Sequence, residues 1–124
     1  MAKIATDIEQ GKRLEGIVHR NTADMFWLVT SETRLHPIME DLSKYDRWEH
    51  YRAWSLDALI NLFPCCKDDD APVFELTRGG WTPSFTNNWF ASWRGGGVNI
   101  EVNAKEAVDA VFGLIEELKR NNLM

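Results

Sequence analysis

Apolar and polar residues alternate in three short runs between residues 73 and 102, and this pattern narrows the possible folds more than any other feature. The runs cover residues 73–78, 89–94 and 98–102. Successive side chains of a β-strand point to opposite faces, so a period of two predicts strands with one apolar face. Three consecutive glycines at 95–97 fit a tight connection between the last two runs. The pattern therefore predicts an antiparallel meander.

A C-terminal helix is predicted directly after this meander. Its apolar residues recur at helical spacing and are Ala107, Val111, Leu114, Ile115 and Leu118. Asn103 is expected to cap the start of the helix together with Glu106, and Asn121 or Asn122 to close its end.

Two further helices are predicted in the first half of the chain. Thr6 and Glu9 fit a capping box for a helix over about 7–18, although Gly11 weakens it. Ser55 is a good N-cap for a helix over 56–63, with Trp54 packing on Leu59 as a hydrophobic staple.

The segment 25–29 is short and continuously apolar, which predicts a buried strand. A second strand is expected around Leu35, limited to an edge by Pro37, whereas residues 40–52 show no clean period. Helices at both ends with strands between them favour an α+β fold. We expect a single domain over 1–124, a mainly antiparallel sheet of four to five strands and about three helices.

The formal net charge of −5 argues against binding to extended nucleic acid, which would need a broad basic face. No apolar stretch is long enough for a membrane span, and the first residues carry no hydrophobic signal region, so we expect a cytoplasmic protein that binds no membrane. Cys65 and Cys66 are adjacent, which predicts reduced structural thiols. The oligomeric state stays open, a homo-oligomer included.

One window combines aromatic and cationic residues without any acidic residue. Within 76–100 it holds Arg78, Trp81, Trp89, Trp93 and Arg94. Indole faces can stack a flat ring, and guanidinium groups can pair with a phosphate or carboxylate, so these five residues form the predicted ligand-binding site.

Two interpretations of this window stay open. If Trp89 and Trp93 point into the core they are packing residues, which we favour, and if they point outward they form a stacking platform. Trp81 lies in the glycine-rich loop beside Arg78, where a core role is less automatic. It is the preferred single contact residue.

Catalytic and metal-binding motifs give little support to an enzyme. The run 68–70 lacks the spacing of a calcium loop, and the glycines match no phosphate-binding or dinucleotide fingerprint, so we predict no metal, no cofactor and no catalytic residues. His50 could serve as a general base near neutral pH, but no nucleophile lies at a spacing that would let it work with His50. A structural role is therefore expected for His50, and the same role is expected for His19 and His36.

Several stretches resemble a set of small uncharacterised proteins from Bacteroides-type phages, prophages and mobile elements. They are residues 7–14, 22–27 and 53–64, together with 106–108 in the C-terminal helix. The resemblance implies an intracellular, mobile-element origin and carries no known activity. Such relatives usually have a short polar middle where this chain has a charged, aromatic stretch at 45–54.

These observations lead to one preferred function and two alternatives. The preferred function is a small non-catalytic binding protein that captures a small anionic aromatic ligand, such as a nucleotide-like signal, or otherwise counters host defence. The first alternative is a protein-interaction module that inhibits a host protein. The second is a small hydrolase centred on His50.

Overall fold

The computed structural model describes residues 3–29, 32–37, 49–63, 73–79, 88–95 and 97–123. Within them lie helices α1 (Ile8–Glu15), α2 (Leu56–Ile60) and α3 (Ala107–Arg120), and a 3₁₀ turn over Arg20–Thr22. The strands are β1 (Met25–Val29), β2 (Thr33–Pro37), β3 (Glu49–Ala53), β4 (Val73–Arg78), β5 (Trp89–Gly95) and β6 (Val98–Ala104).

The described strands form two antiparallel sheets of three strands each. The N-terminal sheet has the order β2-β1-β3, and the C-terminal sheet has the order β4-β5-β6. The α+β class, the three helices and the antiparallel meander are therefore confirmed, but the expectation of four to five strands in one sheet is wrong. The expectation failed because most of strand β3 falls in the segment 40–52, which showed no period, and β3 completes a separate sheet with β1 and β2.

The core lies between the helices and the C-terminal sheet. Trp54, Leu59, Leu114 and Ile115 are fully buried in one cluster that also contains Trp93. Burial of both Trp54 and Leu59 agrees with the staple predicted at the start of α2. The apolar stripe of α3 packs on this cluster, because its buried positions recur with the helical period.

Helix α1 begins one residue later than predicted. Asp7 is the N-cap and forms a capping box with Gln10, whose backbone nitrogen donates to the Asp7 carboxylate at 2.8 Å. Thr6 is instead fully buried, and its hydroxyl oxygen accepts a hydrogen bond from the Trp54 backbone nitrogen at 3.0 Å. The predicted cap residue therefore ties the N-terminal segment to the start of α2.

Helix α3 also begins differently from the prediction. Strand β6 continues to Ala104 and places Asn103 opposite Phe90, so Asn103 cannot cap the helix. The N-cap is Glu106, which makes no side-chain capping bond. Its carboxylate accepts from the Lys3 backbone nitrogen at 3.0 Å instead. At the other end Asn121 is the C-cap, as expected.

Candidate functional site

Strand β5 turns its two tryptophans toward the core. Trp93 is only 6% exposed and Ala91, on the same face, is fully buried. Trp89 shares this face, is half-buried and packs against the core cluster. Trp93 therefore has the core role favoured for it and no surface for a ligand to stack on, whereas Trp89 faces the core but stays partly exposed.

Arg78 and Trp89 form a corner at one end of the C-terminal sheet. The two residues are directly paired across β4 and β5, so their side chains leave the sheet on the same face. The guanidinium carbon of Arg78 lies 5.7 Å from the centre of the Trp89 ring, within the range of a cation–π interaction. Arg78 is exposed and forms no ion pair with any described residue. We call this pair the Arg78 corner.

Arg94 lies away from the Arg78 corner. It pairs with Val73 across the sheet and lies five positions along β5 from Trp89, which is roughly 17 Å at about 3.4 Å per residue, and its side chain leaves the opposite face of the sheet. Its Nη2 donates to Oε1 of Glu75 at 3.2 Å in an exposed ion pair. The expectation that Arg94 joins Arg78 at one site is therefore wrong, because an odd number of strand residues reverses the face.

The predicted contact residue Trp81 lies outside the described residues, as do Cys65, Cys66 and the acidic run 68–70. The two residues that flank the segment 80–87, which contains Trp81, are described. Gly79 has a positive φ of 93°, and its backbone nitrogen donates to the carbonyl oxygen of Asn88 at 2.9 Å. This bond holds Gly79 and Asn88 together beside the Arg78 corner, and the positive φ explains why glycine suits residue 79.

The N-terminal sheet carries a second group of polar side chains, which we call the basic face. Its strand residues are Arg34, His36, His50 and Arg52, placed around the buried Phe26 and Leu28 of the central strand. No pattern in the sequence predicts this face, because it depends on the pairing of β1 with β3. An alternation of apolar and polar residues in β3 would have indicated this strand and its face, but the sequence of β3 shows none.

The histidines of the basic face pack against Phe26. The rings of His36 and Phe26 are stacked with centres 5.4 Å apart, and His50 meets the edge of Phe26 at 6.5 Å. These are contacts of packed side chains, and they give the hydrolase hypothesis no support. The third histidine, His19, accepts at Nδ1 from the Asn21 backbone nitrogen at 3.2 Å, the structural role expected for it.

Arg52 of β3 lies in surroundings that disfavour its positive charge. Burial lowers the pKa of its guanidinium, the nearby charge of Arg20 lowers it further, and Glu15 opposes the shift. The Nε atom of Arg52 is buried and has no hydrogen-bond partner among the residues that the structure describes. A buried donor without an acceptor is rare in native proteins.

Two shallow clefts flank the start of α2. One, of about 280 Å³, is lined by Thr22, Asp24, Asp57, Ala58, Asn61 and Leu62. The other, of about 310 Å³, is lined by Lys3, Ile4, Ser55, Leu56 and Asp57. Between them the Asp24 carboxylate accepts hydrogen bonds from both the backbone nitrogen and the hydroxyl of Ser55. This pairing spans 31 residues of sequence, so no local pattern predicted it.

Within the described part of the chain, no group of three His, Cys, Asp or Glu side chains could hold a metal ion. The described helices are also too short or too polar to cross a membrane. Comparisons with protein-family models, with curated proteins and with solved structures found no match. The described residues therefore define an α+β protein with two three-stranded antiparallel sheets.

Proposed function

We propose that this protein is a small non-catalytic binding module that captures a flat anionic ligand, such as a nucleotide, at the Arg78 corner. The observation that carries the proposal is an exposed guanidinium that lies over an indole and has no described carboxylate partner. Arg94 has a carboxylate partner, so the two arginines differ in what they can offer an anion.

The chemistry of the corner suits an anion joined to a ring. A guanidinium carries several N–H donors, so Arg78 can donate to a phosphate while its central carbon stays over the Trp89 ring. The half-buried indole supplies apolar surface for a base or another flat ring. Trp81, two positions after Gly79, remains a sequence-based prediction for a second stacking partner.

The proposed setting follows from the resemblance to proteins of phages and mobile elements. Capture of a nucleotide-like signal would remove that signal from the host and so counter a host defence. In this role the protein needs affinity and no catalytic group, which agrees with the chemistry of the corner.

Calorimetry against mononucleotides and cyclic dinucleotides tests the proposal. Arg78→Ala is expected to weaken binding at least tenfold, since a hydrogen bond to a charged group contributes about 1.5–3 kcal/mol. Arg94→Ala is the matched control, because it removes the same charge from the opposite face and end of the sheet. No heat with any ligand, or equal losses in the two variants, would contradict the proposal.

A protein-interaction module is the second candidate, and one observation favours it. Ile4 is 64% exposed and borders the 310 Å³ cleft together with Leu56 and the carboxylate of Asp57. An exposed apolar side chain beside a cleft can serve as an anchor for a partner protein. A pull-down from host lysate that recovers one stoichiometric protein, and loses it with Ile4→Asp, would support this candidate if the ligand panel stays silent.

A further inference from the structure

Asp57 lines both of the shallow clefts at the start of α2, so the two clefts adjoin at this residue. Asp57 is exposed, and its carboxylate forms no hydrogen bond or ion pair with any described residue. Small-molecule sites have volumes of about 300–1,000 Å³, and these clefts of about 280 and 310 Å³ lie at the lower limit of that range. Each cleft therefore suits one side chain of a partner better than a whole cofactor.

The 280 Å³ cleft combines an apolar lining with oxygen acceptors. Ala58 is buried and Leu62 is half-buried. The exposed residues beside them are Asp24, Asp57 and Asn61, whose side-chain oxygens can accept hydrogen bonds. Among the described residues, none of those that line this cleft is cationic. An apolar stem that ends in a cationic head, as in arginine or lysine, matches this combination.

The 310 Å³ cleft adds an apolar anchor and no free positive charge. Ile4 is 64% exposed in it, next to the half-buried Leu56. Lys3 also lines this cleft, but its ammonium is bound to the carboxylate of Asp109 at 2.7 Å. Lys3 therefore does not neutralise Asp57, and this cleft suits an apolar side chain.

We propose that the two clefts together, which we call the α2 groove, bind an extended segment of a partner protein in which a basic residue lies near an apolar one. The basic head would donate to the carboxylates of Asp57 and Asp24. Asp24 already accepts from Ser55, but a carboxylate offers about four acceptor positions. The apolar side chain would cover Ile4 and Leu56.

Charge complementarity favours a basic segment over other occupants of the groove. The charged residues that line it are Lys3, Asp24 and Asp57, and only Lys3 has an ion-pair partner among the described residues. Complementary charges also speed the encounter with the right partner and disfavour acidic ones. The inference rests on the second candidate function, a protein-interaction module, and it adds the chemistry of the partner.

Selection from a yeast-displayed library of random peptides tests this inference. We expect the selected peptides to be enriched in arginine or lysine near an apolar residue. Asp57→Asn keeps the shape of the side chain and removes its charge, so it is expected to bind these peptides roughly five- to tenfold more weakly. Ile4→Ser is expected to lose the preference for the apolar residue and to keep that for the basic one. Glu101→Gln is the matched control, because Glu101 is an exposed carboxylate on β6.

Three results would overturn the inference. They are the absence of any enriched peptide, enrichment of peptides without a basic residue, and equal losses in Asp57→Asn and Glu101→Gln. A dimer in sedimentation that is lost with Ile4→Ser would also contradict it, because a second copy would then occupy the groove.

Two comparisons separate this inference from the proposed functions. A lysate protein that depends on Ile4 and not on Asp57 would retain the interaction module and exclude a basic partner in the groove. Arg78→Ala is expected to keep full peptide binding, whether or not nucleotides bind at the Arg78 corner.

Discussion

Gly11 of α1 lies against the backbone carbonyl oxygen of Arg52 in β3, with no room for a side chain between them. A Cβ atom at residue 11 would fall far inside van der Waals contact with that oxygen, and would also lie 3.8 Å from Cζ3 of Trp54. Glycine within a helix costs about 0.5–1 kcal/mol relative to alanine. Here the close approach of helix and strand offsets that cost, and it also holds the backbone of Arg52 in place.

Gly11→Ala is therefore expected to destabilise the protein, although alanine favours helices. A backbone carbonyl cannot rotate away as a side chain can, so the helix must shift and the free energy of unfolding falls by about 1–3 kcal/mol. Gly16→Ala is the control, because its Cβ would lie 3.5 Å from the Arg13 carbonyl oxygen, an ordinary contact. Chemical denaturation should show a change within about 0.5 kcal/mol for the control. Similar losses in both variants would contradict the role of Gly11.

Gly113 of α3 makes a similar close approach to a side chain. A Cβ atom there would lie 2.8 Å from Cγ1 of Val102 on β6. We expect Gly113→Ala to be destabilising in the wild-type protein and stabilising, by up to about 1 kcal/mol, when Val102 is alanine. Equilibrium unfolding of the two single variants and the double variant measures this coupling. If the two substitutions change the free energy of unfolding additively, Val102 does not limit the size of the side chain at residue 113.

Thr6→Val and Thr6→Ser separate the hydroxyl of Thr6 from its volume. Valine keeps the shape but leaves the backbone nitrogen of Trp54 without its acceptor, which costs about 1–3 kcal/mol. Serine keeps the hydroxyl oxygen and loses one methyl group, which lowers the free energy of unfolding by about 0.8 kcal/mol. Denaturation should therefore rank valine below serine in stability. The reverse order would mean that apolar packing, and not the hydrogen bond, holds Thr6 at this position.

Local sequence patterns were enough to predict three features of the fold. These are the meander, the buried strand at 25–29 and the edge strand around Leu35. Strand β3 was not predictable in this way, since its exposed and half-buried residues show no period until they are paired with β1. The same pairing creates the basic face. Sequence therefore predicted the elements of the fold better than their arrangement into two sheets.

The candidate site was predictable only in part for a related reason. Alternation along β5 predicts that Trp89 and Trp93 share a face, and the position of the helices makes that face the core. It also implies that Arg94 lies on the other face, but the ion pair with Glu75 depends on the register with β4. The contact between Arg78 and Trp89 requires the same register. Separation of the two arginines was thus fixed by strand pairing, which a single sequence does not show.

The indole N–H signals of the tryptophans report directly on whether a ligand binds at the Arg78 corner. In a two-dimensional ¹H–¹⁵N spectrum, Trp89→Phe and Trp93→Phe assign the two signals from β5, and each nucleotide of the panel is then titrated. We predict that the Trp89 signal shifts until the site is saturated, that the buried Trp93 signal stays in place, and that Arg78→Ala removes the shift. Binding that leaves the Trp89 signal unmoved would contradict the Arg78 corner as the ligand site.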